Sequence, residues 1–167
     1  MMNNMKSPSQ QIGEFSITAI SDGYLSASLD LLSNISPTDA FELQQGAGAT
    51  DPSSIHINCY LVRGRGRTVL IDAGAGGFKQ WGGQLQANLA RAGVHPSDID
   101  TILLTHAHPD HIGGLVDSSG DAAFPDAELV VHPHEVDFWE DDGHLGRASA
   151  VSYTHLTAAD DMQCVDL

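Results

Sequence analysis

The chain has 167 residues, 41% of them apolar, with 22 acidic side chains against 7 basic ones and a formal charge of −15. That apolar share excludes a disordered chain and suits one packed domain or a piece of a larger one. The acidic balance argues against a nucleic-acid partner, because binding a polyanion needs clustered Lys and Arg to displace its counterions.

The N-terminus, MMNNMKSPSQQIGEF, carries one Lys and no apolar stretch, so it does not read as a secretory signal, and residues 1–11 read as a polar, mobile leader. No apolar run approaches membrane-spanning length, so the expectation is a cytoplasmic protein with no membrane partner. Residues 14–20 (EFSITAI) alternate and predict a strand, with a turn at Asp22-Gly23. Ser36 followed by Pro37 predicts an N-cap, a proline in the first helical position and a short helix. Residues 46–54 are a Gly, Ala and Ser-rich loop. Ile55, Ile57, Cys59 and Leu61 then alternate with His56, Asn58 and Tyr60, which predicts a strand with one buried face. Cys59 reads as a small buried hydrophobe, and Cys59 and Cys164 together make no CxxC pair. A turn at residues 64–66 leads to a second strand over residues 67–71, making a hairpin closed by DAGAGG, with Arg63, Arg65 and Arg67 around its solvated turn.

Residues 84–92 predict a helix with Gly93 as its C-terminal cap. Residues 99–104 form a nearly continuous apolar strand, of the kind buried on both faces of a layered α/β sheet. Residues 127–131 predict another strand and residues 133–140 a helix. Strands, a hairpin and interspersed helices together indicate an α/β architecture with a mixed sheet.

The apolar strand runs straight into THAHPDHIGG at residues 105–114. His106 and His108, two apart in extended chain, project to one side and can share a metal. Pro109 stiffens the loop, and Asp110 and His111 start a turn or helix aimed at a second position nearby. Gly113 and Gly114 remove side chains where backbone must lie close to the site. The carboxyl end of a buried strand is where α/β sheets place ligands. Imidazole and carboxylate suit Zn, with Fe and Mn as alternatives. With nine histidines in the chain, a fixed His-x-His-x-Asp-His pattern arises by accident in roughly 0.3% of such sequences, which argues against an incidental surface cluster.

THAHPDHIGG resembles the signature loop of the metallo-β-lactamase superfamily. LVRGRGRTVLIDAGAG is similar to that fold's early hairpin, which ends in an Asp-x-Gly turn. EFSITAISDG and AFPDAELVVHPHEVDFWED resemble the branch of methyl parathion hydrolase-like and lactonase-like enzymes. The resemblance covers about residues 14–142. It implies the N-terminal half of an αββα sandwich, with His106 and His108 on a first metal and Asp110 and His111 on a second. It further implies two divalent ions, Zn before Fe or Mn, holding a hydroxide that attacks an ester, lactone or phosphotriester. Asp110 would double as a catalytic group that orients the nucleophile or moves a proton. Asp72 would tie down the hairpin's end rather than bind metal. A thioesterase or sulfur dioxygenase of the same superfamily is the alternative within the enzyme class, and a non-catalytic metal-binding fragment is the alternative outside it.

The family pattern calls for three more ligands, and no matching motif follows His111. His132 and His134, at a strand end and helix start, read as capping or surface residues, and His56 and His95 as structural. His144 and His155 have no evident partner. The expected plan is a leader at 1–11, the N-terminal part of the family domain at 12–148 and a non-family tail at 149–167, the chain being a truncated half. Oligomeric state is left open.

Overall fold

In a computed structural model of the chain, the structure describes residues 7–141 and the backbone of Cys164–Val165. Among the described residues, seven strands form one sheet in sequence order: β1 (Ser9–Ile12), β2 (Phe15–Ser26), β3 (Ser54–Gly64), β4 (Arg67–Ile71), β5 (Thr101–Leu103), β6 (Glu128–Val130) and β7 (Cys164–Val165). The first four pair antiparallel, and β4, β5, β6 and β7 run parallel. The helices are α1 (Pro37–Gly46), α2 (Leu85–Arg91), α3 (Pro109–Ile112) and α4 (Pro133–Glu140). Among the described residues, no helix is long and apolar enough to cross a membrane.

Local sequence sets much of this. The β3–β4 hairpin closes through Arg65 and Gly66 at φ of 51° and 76°, the left-handed pair that a two-residue turn between right-twisted strands requires. Ser36 accepts from the Asp39 N–H and Pro37 opens α1. Gly93, at φ 72°, follows α2.

The core lies on one face of the sheet. Ile20, Cys59, Leu61, Leu70, Ile102 and Leu129 meet Leu85 and Leu89 of α2, Ile112 of α3 and Trp139 of α4. On the opposite face Ala19, Tyr60, Ile71 and Leu103 stand in register across four strands, none of them buried. A mixed sheet with α2, α3 and α4 against one face is half of an αββα sandwich, as expected.

Two expectations need correction. Residues 9–11, expected to belong to a mobile leader, are instead part of β1, which folds back on β2 through a hairpin turned by Gly13 at φ 58°. Its polar sequence gives no period, and edge pairing with β2 supplies the structure. Asp22-Gly23 is not a turn. β2 continues through a bulge there, with Ser21 opposite Asn58 and Gly23 opposite Ile57. The extra residue, Asp22, is turned fully inward, where its carboxylate accepts from the backbone N–H groups of Ala75, Gly83 and Leu85 at 2.8, 3.0 and 2.8 Å. Three donors satisfy a charge that burial would otherwise make costly. The expected tail at 149–167 lies outside the described residues apart from the Cys164–Val165 backbone.

Candidate metal centre

The parallel pairing of β4 and β5 brings their carboxyl ends together, and the site is assembled there. The Asp72 N–H donates to the Leu103 carbonyl at 3.0 Å, and the Ala73 N–H donates to the His111 carbonyl at 2.7 Å. Asp72 sits at φ 61°, a left-handed conformation uncommon outside glycine that turns its side chain under the loop. Its buried carboxylate is shared. Oδ1 accepts from the Thr105 N–H at 2.8 Å and its hydroxyl at 3.0 Å, and Oδ2 lies 2.8 Å from His111 Nδ1.

Pro109 opens α3, and the N–H groups of His111 and Ile112 close onto the His108 carbonyl. The two glycines that follow are required by close approach. A Cβ on Gly113 would strike the Ala75 carbonyl, and one on Gly114 the Ala73 carbonyl. The loop of the signature and the loop after β4 are thus packed backbone to backbone.

The four sequence-predicted residues are brought together. The His106 ring centroid is 3.9 Å from that of His111 and 4.7 Å from that of His108. Asp110 Oδ2 lies 3.4 Å from His111 Nε2. Burial tends to lower the His111 pKa, but hydrogen bonds to Asp110 and Asp72 outweigh it and push it up to about 9. Asp110 is held below the usual carboxylate range by its hydrogen bond to His111, against the opposing effect of burial. His106 is shifted down by burial and then by the charges of His111 and His108.

Among the described residues, no three His, Cys, Asp or Glu side chains already converge on a single metal position, because these donors face and satisfy one another. Their chemistry nonetheless fits a divalent cation. Three imidazoles and a carboxylate share one loop, and His111 has one ring nitrogen held by a buried carboxylate, the usual support of a metal-bound histidine.

His132, His56 and His95 take the capping and structural places expected of them. His132 Nδ1 accepts from the His134 N–H at 3.2 Å as the N-cap of α4. His56 bonds Ser21 and stacks on Tyr24, and His95 caps the 3-10 turn Pro96–Asp98. His144 and His155 lie outside the described residues. Sequence reasoning missed Glu135, whose carboxylate reaches the loop from α4 by accepting from the Ala107 N–H at 2.9 Å. Its only signal was the spacing of Glu135 and Trp139, one helical turn apart.

The fold and the site thus combine a mixed sheet with a histidine–aspartate loop at the carboxyl ends of parallel strands. The family model of the metallo-β-lactamase superfamily matches residues 55–161, and the chain belongs to that superfamily. The chain is similar to the solved structure of hydrolase AbOPH of the β-lactamase superfamily (27% identity, TM-score 0.81), covering 97% of this chain and 61% of that one. It is similar to AidC, a dizinc quorum-quenching lactonase, at 26% identity and TM-score 0.81, covering 97% and 62% of the two chains. It is also 39% identical over 72 residues to a ribonuclease Z of Aeropyrum pernix, covering 42% of this chain and 21% of the relative. The chain therefore spans about 61% of the solved structures' length and about a fifth of that curated relative's.

Proposed function

We propose that this chain carries the histidine–aspartate half of a binuclear metal site in a hydrolase that cleaves a small ester, lactone or phosphotriester. The observation carrying this reading is the gathering of His106, His108, Asp110 and His111 at the ends of β4 and β5, with His111 Nδ1 held by Asp72. His106 and His108 serve one metal, and Asp110 and His111 the other. When bound, divalent ions supply a water activated near neutral pH and polarise the oxygen that gains charge in the reaction. Asp72 fixes the tautomer of His111 by taking its Nδ1 proton in a hydrogen bond, which leaves Nε2 as the donor. Asp110 would orient a nucleophile or carry a proton to a leaving group. The likeness to AidC supports a lactone-sized substrate and Zn.

The likeness to ribonuclease Z favours a second reading, RNA cleavage. Charge weighs against it over these 167 residues, whose 7 basic side chains are outnumbered by 22 acidic ones. The test is to express the protein from its native gene, load it with Zn or Mn, and assay aryl esters, lactones, phosphotriesters and a precursor tRNA. Metal-dependent turnover of a small substrate, abolished by His108→Ala, is the expected result. Cleavage of the RNA alone would move the assignment to the second reading.

The 167 residues by themselves are expected to be inert or nearly so. The four donors give each metal two protein ligands, whereas a catalytic Zn has three plus water. Metal-dependent turnover by this chain, lost in His108→Ala, would contradict that.

A further inference from the structure

The loop of residues 105–111 is gripped from two sides, and the grips differ in what they hold. Asp72 takes its first and last residues, through the Thr105 N–H and the His111 ring. Its middle is held from α4. Glu135 Oε2 accepts from the Ala107 N–H at 2.9 Å and from Trp139 Nε1 at 3.1 Å, one helical turn further on. The Ala107 side chain is fully buried in the core. In extended chain its neighbours His106 and His108 therefore project the other way, as a pair. The position of that pair depends on where the backbone of Ala107 is tied. The Trp139 ring also stands edge-on to His108, with centroids 5.8 Å apart and planes at 79°, so the residue that braces Glu135 walls one of the two imidazoles. The topology makes this possible. α4 begins three residues beyond β6, the parallel neighbour of β5, and so starts at the same end of the sheet as the loop.

We propose that Glu135 is a positioning residue for the His106–His108 pair, acting through the Ala107 N–H and braced by Trp139. This rests on the metal reading above and deepens it. The two halves of the site have separate supports, Asp72 for His111 and Glu135 for His106 and His108. Loss of the Glu135 carboxylate frees the turn between the two histidines without touching Asp110 or His111. A carboxylate that merely stabilised the fold would affect both halves alike.

The experiment is a Co(II) titration of the 167-residue chain, followed by the visible absorption of the bound ion. Two backgrounds isolate the halves: Asp110→Ala/His111→Ala reports the His106–His108 pair, and His106→Ala/His108→Ala reports the other. Glu135→Ala should weaken Co(II) binding about 10- to 100-fold and alter its spectrum in the first background, with no change in the second. Glu135→Gln should give a smaller loss, because an amide oxygen still accepts from Ala107 but lacks the charge that roughly doubles such a bond. Far-UV circular dichroism checks the fold, and Glu135→Gln carries the same test if Glu135→Ala does not fold. Parent-like affinity and spectrum in both Glu135 variants would overturn the proposal, as would equal weakening in the two backgrounds. A parent chain that binds no Co(II), or binds it equally well without His106 and His108, would overturn the metal reading and this inference with it.

Discussion

The loops at the carboxyl ends of β4 and β5 and the arm formed by the 3-10 turn Leu29–Leu31 and α1 are both irregular excursions from one sheet, yet they are held in different ways. In the first, buried or half-buried carboxylates from distant positions accept backbone N–H groups: Asp22 from three, Asp72 from Thr105 and Glu135 from Ala107. In the second, the caps are local. Ser28 caps the turn and Ser36 caps α1, only Ala40 of α1 is buried, and Leu31 and Leu43 are 77% and 68% exposed. A buried carboxylate that accepts several N–H groups fixes a loop in one conformation, because every alternative leaves a charge without partners. Local caps form the helix but do not attach it. The site thus stands on the rigid region, and the arm is free to differ without moving the histidines.

Breaking the rigid region should therefore cost most. Asp22→Ala leaves three N–H groups without their acceptor, two of them buried, and is expected to lower unfolding free energy by about 4 kcal/mol, read by urea denaturation. A loss below about 1 kcal/mol would mean that water or relaxation replaces the carboxylate. Asp72→Ala should cost about 2–3 kcal/mol. Metal stoichiometry should persist at reduced affinity, since Asp72 orients a ligand and is not one; a lost equivalent of metal with unchanged stability would make it a ligand. Ser36→Ala marks the other end of the comparison. It should destabilise α1 by about 1 kcal/mol, seen as faster amide exchange in residues 37–46. Global unfolding should move by less than roughly 0.5 kcal/mol, because the arm opens on its own. A larger global shift would show that the arm is part of the cooperative core.

The same contrast explains what could be read from the sequence. The arm's helix, the β3–β4 hairpin, α2 with Gly93 and α4 were legible because caps, turns and alternation act over a few residues. The signature loop was legible because its three histidines and Asp110 sit within six positions, and Asp72 because it ends a strand before three glycines. The bulge at Asp22 was not, since its partners lie 53 to 63 residues away and the Asp-Gly pair carries a turn's signature. Glu135 was hidden for the same reason, its Ala107 partner being 28 residues distant. β5 was expected over residues 99–104 and spans Thr101–Leu103, because Ile99 closes the preceding 3-10 turn and Leu104 bonds across to Val130 outside the ladder. Apolar composition marks the buried stretch, not the paired one.

On the function proposed above, one short loop, fixed by carboxylates from elsewhere, holds divalent metal. Calorimetric titration of the chain with Zn tests it most directly, alongside His106→Ala/His108→Ala and Asp110→Ala/His111→Ala. The parent is expected to bind Zn with release of protons, since the His111 pKa is pushed up to about 9. Each double variant should lose part of that binding, and the two together all of it. Zn binding unchanged when all four residues are Ala would contradict it.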